Sequence, residues 1–295
     1  MARPGELFPN ARIFVVKPSI RLLAIDIDGT LLNPEFQISP GDMAALRHAH
    51  SEGVEVVVVT GRRHSFALPI VQQLGFGLWV ISSNGAVTRS LGGETFHRDL
   101  LPAETCRKLC TKMREFRGNM VLTFDTEGKG AIVLERMDEL SVSIQRWLEK
   151  NLQYIDFVIP IEDSLTDDPV QAMFCGPIAR MHQALAVLAE PGLDVTVSRT
   201  EYEARDLSIV DVLNRGCSKG QALERWANFR GIPRKQVMAI GDNYNDIEML
   251  AFAGVPFIMG NASEELRRNG WAVTSSNDQN GVAAAIEQVL RLGSL

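Results

Sequence analysis

A chain of 295 residues, 45% of them hydrophobic, has material for about two domains and a sizeable core, which excludes a disordered chain. A net charge of −6 leaves no cationic excess to neutralise a phosphate backbone, so no nucleic-acid partner is expected. No stretch reaches the roughly 20 apolar residues of a membrane span, and Ile13-Phe14-Val15-Val16 is too short for a signal segment, so a soluble, cytoplasmic protein without membrane association is expected.

The first third alternates strand and helix signals. Residues 21–27 read as a buried strand that delivers Asp26-Ile27-Asp28-Gly29-Thr30 at its end. Residues 40–52 have helical spacing, with Ser39 as N-cap and Pro40 at the first helical position. The β-branched run 54–59 predicts a second buried strand ending at Thr60-Gly61-Arg62; a helix follows at 63–74 and a third strand at 78–81. Strand–helix–strand repeats at this spacing imply right-handed crossovers and a parallel sheet.

From 86 to 208 the pattern changes. Strands at 121–124 and 131–134 flank a turn-rich link, as in a hairpin. Helices are expected at 102–117, 138–151 and 178–190, and further strands at 171–175, 195–198 and 207–210. This predicts a mostly antiparallel sheet with helices on one face. The first rhythm then resumes: helix 218–229, strand 237–240, the turn Gly241-Asp242-Asn243-Tyr244-Asn245-Asp246, helix 245–253, strand 255–259 and a closing helix 281–292. The expected organisation is an α/β, doubly wound parallel-sheet core from residues 1–85 and 209–295, with residues 86–208 inserted as an α+β domain. Cys106, Cys110, Cys175 and Cys217 lack the spacing of a zinc site and are expected to be reduced thiols.

In an open parallel sheet, ligands bind beyond the carboxyl ends of the strands, so motifs scattered in sequence should converge at one edge. Two acids at a buried strand end are costly to desolvate, and a divalent cation is the usual compensation. Asp26 and Asp28 are two apart, which in extended chain points them the same way. One can act as nucleophile and the other as general acid and base. Gly29 lets the backbone turn and frees an amide for an oxyanion. Thr60 and Gly61 offer a hydroxyl and an amide to a phosphate oxygen near a helix N-terminus. Lys219, at a helix start, supplies a point charge for a phosphoryl group or for two crowded carboxylates. Asp242 and Asp246 sit four apart across a strand-to-helix turn, and oxygen-only ligands favour Mg²⁺. Helix capping explains one of these two acids but not both. Together the residues equip the chain for phosphoryl transfer, where positioning and charge neutralisation dominate.

The stretches Asp26-Ile27-Asp28-Gly29-Thr30-Leu31-Leu32, Thr60-Gly61-Arg62, Ser83-Asn84-Gly85-Ala86, Ser218-Lys219-Gly220, Gly241-Asp242 with Asn245-Asp246-Ile247-Glu248-Met249-Leu250, and Asn277-Asp278-Gln279-Asn280-Gly281-Val282-Ala283 resemble motifs of the haloacid dehalogenase (HAD) superfamily. The chain is most similar to its Cof-type phosphohydrolases, which carry a large α+β cap on a Rossmann-like core. The resemblance implies that Asp26 attacks phosphorus, that Asp28 protonates the leaving oxygen and then activates water, and that Thr60 and Lys219 bind the phosphoryl group. It also implies that Asp26, the Asp28 main-chain carbonyl and Asp242 hold Mg²⁺, with Asp246 supporting the metal's waters. Asn245 would touch the phosphate or order its turn, and Asn84 would lie close to the substrate. The extension 1–20 is unusual against that pattern.

Substrate choice would then reside in the cap, where Arg199, Glu203 and Arg205 are the polar candidates. The expected activity is Mg²⁺-dependent hydrolysis of a small phosphomonoester, a sugar phosphate or a phosphorylated cofactor, through an aspartyl phosphate. A sugar phosphomutase would use the same core. A phospho-accepting signalling domain would use similar residues in a much shorter chain.

Overall fold

The computed structural model describes residues 20–290; the apolar run 13–16 and the last two residues of the expected helix 281–292 lie outside the described residues. The chain begins with β1 (Leu22–Ile25), α1 (Pro40–Ser51), β2 (Glu55–Val59), α2 (His64–Val71), β3 (Trp79–Ser82) and a hairpin of β4 (Val87–Ser90) and β5 (Thr95–Arg98). Next come α3 (Ala103–Lys112), β6 (Met120–Thr123), β7 (Ile132–Leu134), α4 (Val142–Glu149), β8 (Ile155–Phe157), β9 (Gln171–Gly176), α5 (Ile178–Ala189), β10 (Val195–Tyr202) and β11 (Leu207–Asn214). The last stretch holds α6 (Lys219–Phe229), β12 (Val237–Gly241), α7 (Ile247–Phe252), β13 (Val255–Ile258), α8 (Glu264–Arg267), β14 (Ala272–Val273) and α9 (Gly281–Leu290).

Eight strands form a large sheet in the order β14-β13-β12-β1-β2-β3-β4-β5, parallel from β14 to β3. Alternation along β1 explains why all four of its residues are buried. Leu23 and Ile25 pack with Leu46 of α1 and Ile286 of α9, while Leu22 and Ala24 pack with Trp226 of α6 and Leu250 of α7. Ser39 starts α1 by accepting from the Asp42 amide at 3.0 Å, with Pro40 at the first helical position, and Ser218 caps α6 through the Gln221 amide at 3.2 Å.

From β1 the strands proceed outward to β2 and β3, and from β12 outward in the opposite direction to β13 and β14. The order reverses between β1 and β12, which opens a crevice beyond their carboxyl ends. Asp26 follows β1 there, Thr60 follows β2, Ser83 and Asn84 follow β3, and Asp242 follows β12.

The other six strands form a second sheet, ordered β10-β11-β9-β6-β7-β8 and antiparallel except between β7 and β8. On one face α3 and α5 pack Leu109, Cys110, Met181 and Ala184 against Leu122, Phe174 and Val212. All four cysteines are buried and free. No helix among the described residues is long and apolar enough to cross a membrane.

The sheets move the expected boundaries at 85/86 and 208/209. β4 and β5 extend the large sheet, because β4 folds straight back on β3 through the pair Ser82↔Val87. β11 uses all eight of its residues, through Asn214, to pair with β10. The strands expected at 195–198 and 207–210 are accordingly each longer. The chain passes between the sheets near Asp99 and Asn214, where Asn214 Nδ2 donates to Asp99 Oδ1 at 2.7 Å.

Trp226 is fully buried between Trp79 and Phe96, with ring centroids 4.7 and 5.1 Å away, and its Nε1 donates to Glu55 Oε1 at 2.8 Å. Replacement Trp226→Ala should cost about 3–5 kcal/mol of stability, read as a lower urea midpoint for the transition that unfolds the large sheet.

Candidate active site

Asp26 continues the β1 ladder by one bond, its amide donating to the Ile240 carbonyl at 3.1 Å, and is 4% exposed. Lys219 opens α6 and is 1% exposed. Its Nζ donates to Asp26 Oδ1 at 2.6 Å and to Asp246 Oδ1 at 2.7 Å. The other oxygen of Asp246 accepts from the amides of Asp242 and Asn243 at 2.9 and 3.1 Å, so this acid holds the turn after β12 in shape. Carboxylate oxygens of Asp26, Asp242 and Asp246 lie within 4.8 Å of one another.

Burial is the chief force on these groups. It raises Asp26 to about 7 against the opposing charge of Lys219, with Asp246 and Asp28 adding to the rise. It also raises Asp242 well above the usual carboxylate range, with the charges of Asp26 and Asp246 reinforcing the effect. Burial works to lower Lys219, but the charges of Asp246 and Asp26 outweigh it and the ammonium is held protonated. Three buried carboxylates face one ammonium. An all-oxygen set short of positive charge fits a hard divalent cation.

Gly29 has a further reason beyond those legible in sequence. Its φ is +83°, and a Cβ there would lie 2.2 Å from Asp242 Oδ2. The glycine lets the turn after β1 press against Asp242, whose Oδ1 also accepts from Thr30 Oγ1 at 3.2 Å.

Asp28 does not join the three acids. The chain leaves extended geometry after Asp26, with the Leu31 amide donating to the Asp26 carbonyl at 3.3 Å and the Leu32 amide to the Ile27 carbonyl at 2.9 Å. Arg62 grips the Asp28 carboxylate with both prongs, Nε to Oδ2 at 2.7 Å and Nη2 to Oδ1 at 2.5 Å. Arg62 belongs to the Thr60-Gly61-Arg62 stretch but has no role legible in that stretch alone. An arginine fork one strand away from an acid pair was the available signal.

Thr60 is buried, and its Oγ1 accepts from the Arg62 amide at 3.1 Å. Gly61 packs against Asn84, whose Oδ1 would be 3.2 Å from a Cβ at that glycine. Ser83 and Asn84 both have left-handed backbones, φ 49° and 53°. Such a pair persists only where its surroundings impose it. Here the Ser83 amide donates to the Arg62 carbonyl at 2.8 Å and the Asn84 amide to the Thr60 carbonyl at 3.0 Å. Asn84 Oδ1 accepts from Asn245 Nδ2 at 3.0 Å, and Asn84 Nδ2 donates to Asp211 Oδ2 at 2.9 Å. Asp211 Oδ1 in turn accepts from Gln171 Nε2 at 3.1 Å. Asp211 and Gln171 belong to the second sheet and were missed in sequence. Their signal was a polar residue inside an apolar strand, Asp211 between Val210 and Val212.

A cleft of about 440 Å³ lies between the two sheets, with Asp28, Gly29 and Asp242 on its core side and Tyr202 and Arg205 on the other. Of the three polar candidates, Glu203 and Arg205 line it. Arg199 instead stacks its guanidinium 3.9 Å from the Tyr244 ring. Asn243 clips β10 to the acid-bearing turn, its Oδ1 accepting from the Glu201 amide at 3.1 Å and its Nδ2 donating to the Glu201 carbonyl at 3.0 Å.

A family model described as haloacid dehalogenase-like hydrolase matches residues 23–286. The chain is 31% identical to phosphatase YwpJ of Bacillus subtilis (strain 168), over 92% of this chain and 100% of that protein. It is 28% identical to pyridoxal phosphate phosphatase YbhA of Escherichia coli (strain K12), over 90% of this chain and 97% of the relative. Among solved structures, a haloacid dehalogenase-like hydrolase from B. subtilis superposes with a TM-score of 0.76 at 28% identity, covering 91% of this chain and 99% of the other.

Two outcomes follow from the buried charges. Lys219→Met strands Asp26 and Asp246, and should cost roughly 3–5 kcal/mol in urea denaturation without divalent cations, with a smaller loss when Mg²⁺ is added. Asp211 is pushed up to about 7 by burial, against its hydrogen bond from Asn84. Its folded pKa thus exceeds its unfolded one, so its favourable contribution is complete below about pH 4 and is lost as pH rises to about 7. Over that window Asp211 should contribute a fall of up to about 4 kcal/mol in the wild type, so the profile should fall less steeply in Asp211→Asn, where Asp26 and Asp242 still contribute.

Proposed function

The chain belongs to the haloacid dehalogenase-like hydrolases and is a phosphatase, and we propose that it hydrolyses a small phosphomonoester by forming an aspartyl phosphate on Asp26. The observation that carries this reading is the Lys219 bridge between Asp26 and Asp246, with Asp242 in the same buried cluster. It presents one carboxylate at the end of a central strand, oriented by an ammonium rather than hidden by it. The E. coli relative's name supports phosphorylated cofactors among the small phosphorylated metabolites to be considered.

Asp26 attacks phosphorus, the bond to the ester oxygen breaks, and Asp28 gives that oxygen its proton. Water then attacks the phosphoryl-aspartate, Asp28 takes the water's proton, and phosphate leaves with Asp26 restored. Thr60 and Lys219 bind phosphoryl oxygens, with the Gly29 and Gly61 amides close to them and Asn84 and Asn245 ordering the surrounding turns. Asp28 can donate only after one of its oxygens leaves Arg62. An incoming phosphate gives that guanidinium a competing anionic partner. Asp26, the Asp28 main-chain carbonyl and Asp242 would hold Mg²⁺, backed by Asp246, and the bound ion would neutralise charge on the phosphoryl oxygens. The second-sheet domain serves as a cap that closes the cleft and excludes bulk water while the attacking water remains.

Measured as inorganic phosphate released from a panel of phosphorylated metabolites, Asp26→Asn should lose at least about a thousandfold in kcat. Asp28→Asn should lose about 10²–10⁴-fold. Undiminished turnover by Asp26→Asn would overturn the nucleophile assignment. An isomerised sugar phosphate appearing without free phosphate would overturn hydrolysis in favour of a mutase.

A further inference from the structure

The cleft shares Asp28, Gly29 and Asp242 with the acidic centre, so its occupant is the part of the ester beyond the phosphate. Most of the amide side chains that border it are already committed. Asn33 Oδ1 accepts from the amides of Glu35 and Gln37 at 3.1 and 2.9 Å. Asn261 Nδ2 donates to the Gly29 carbonyl at 2.8 Å, and Asn277 Nδ2 to the Leu32 carbonyl at 2.7 Å. Asn243 is spent on Glu201. These groups build the walls, and few of them remain to read the hydroxyls of a sugar.

Apart from the Glu203 carboxylate, what remains is flat. The Arg205 guanidinium lies 5.7 Å from the ring centroid of Phe36 and 5.7 Å from that of Tyr202. Phe36 is 59% exposed and has a left-handed backbone at φ 59°, an uncommon state for an aromatic residue. The turn imposes it, with the Phe36 amide donating to the Asn33 carbonyl at 2.9 Å and the Asn33 amide to the Gln37 carbonyl at 3.0 Å. An apolar ring is thereby held at the cleft rather than in the core. Among the described residues Arg205 has no carboxylate within ion-pair distance, and neither has Glu203 a cation. Opposite charges in one turn give the cleft no net attraction for a second phosphate, so shape and stacking discriminate instead.

Resting on the phosphatase reading of the adjoining acids, we propose that Phe36, Tyr202 and Arg205 form a stacking site. It selects esters whose leaving group is a planar aromatic ring bearing an oxygen acceptor, such as pyridoxal, over sugar phosphates. The rings flank the leaving group and the Arg205 fork donates to its acceptor.

The test compares kcat/KM for pyridoxal 5′-phosphate and glucose 6-phosphate in the wild type, Phe36→Leu and Arg205→Gln, with calorimetric binding of pyridoxal alone alongside. Both variants sit on exposed positions, and circular dichroism checks their folding. The wild type should prefer pyridoxal 5′-phosphate, and each variant should lower that preference about tenfold, chiefly through KM, with weaker pyridoxal binding. A wild type that prefers glucose 6-phosphate, or variants that leave the ratio unchanged, would overturn the stacking site. Should neither these esters nor any other phosphorylated metabolite of the panel release phosphate, the phosphatase reading fails by itself, and pyridoxal binding that is equal in wild type and Phe36→Leu overturns the stacking site separately.

Discussion

A single buried ammonium organises this protein. Lys219 Nζ reaches Asp26 at 2.6 Å and Asp246 at 2.7 Å, joining the end of β1, the start of α6 and the turn after β12. Each partner alone would be a poor choice for the interior, because an unpaired buried charge is strongly unfavourable. Together they are still two positive charges short once Asp242 is included. That deficit is the physical basis for expecting a divalent cation. The rest of the core serves the arrangement: parallel pairing brings β1 beside β12, and the Ser218 cap starts α6 where its first side chain meets both acids.

The second sheet connects to this centre through polar contacts as well as apolar packing. Asn243 clips the β10 backbone, Asn84 reaches Asp211, and Arg63 donates to the carbonyls of Phe124 and Thr126 at 2.8 and 2.9 Å. Arg89 and Arg98 both hold Asp125 in the same turn. Phe66 of α2 adds edge contacts to Trp147 and Tyr154, at 5.1 and 5.4 Å between centroids. Hydrogen bonds and ion pairs of this kind exchange readily with water, unlike a continuous apolar core. The division of labour follows. Asp26, Thr60 and Asp242 sit at strand ends of the large sheet, and Tyr202 and Arg205 line the cleft from the side of the second sheet.

Much of the fold was legible because its signals are local. The β-branched run before Thr60, the Ser39-Pro40 helix start and the Gly241-Asp242 turn each announce an element from a few adjacent residues. The misses have a common cause, which is dependence on partners distant in the chain. β10 and β11 carry polar residues such as Ser198, Thr200 and Asp211, so their full length shows only in the hairpin register. Asp28 stands two residues from Asp26, yet the partner that holds its carboxylate is Arg62, 34 residues away.

Sequence by itself determined which chemistry-bearing groups the chain possesses, and that they stand at strand ends. Those facts depend on residue type and on periodicities of a few residues, which need no knowledge of the remote chain. Tertiary structure alone decided their allegiances. It set Asp246 under Lys219 as scaffold, Asp28 against Arg62, and Asp211 beneath Asn84. Such pairings arise from strand order and loop contacts across 27 to 193 residues of separation, which no local spacing encodes.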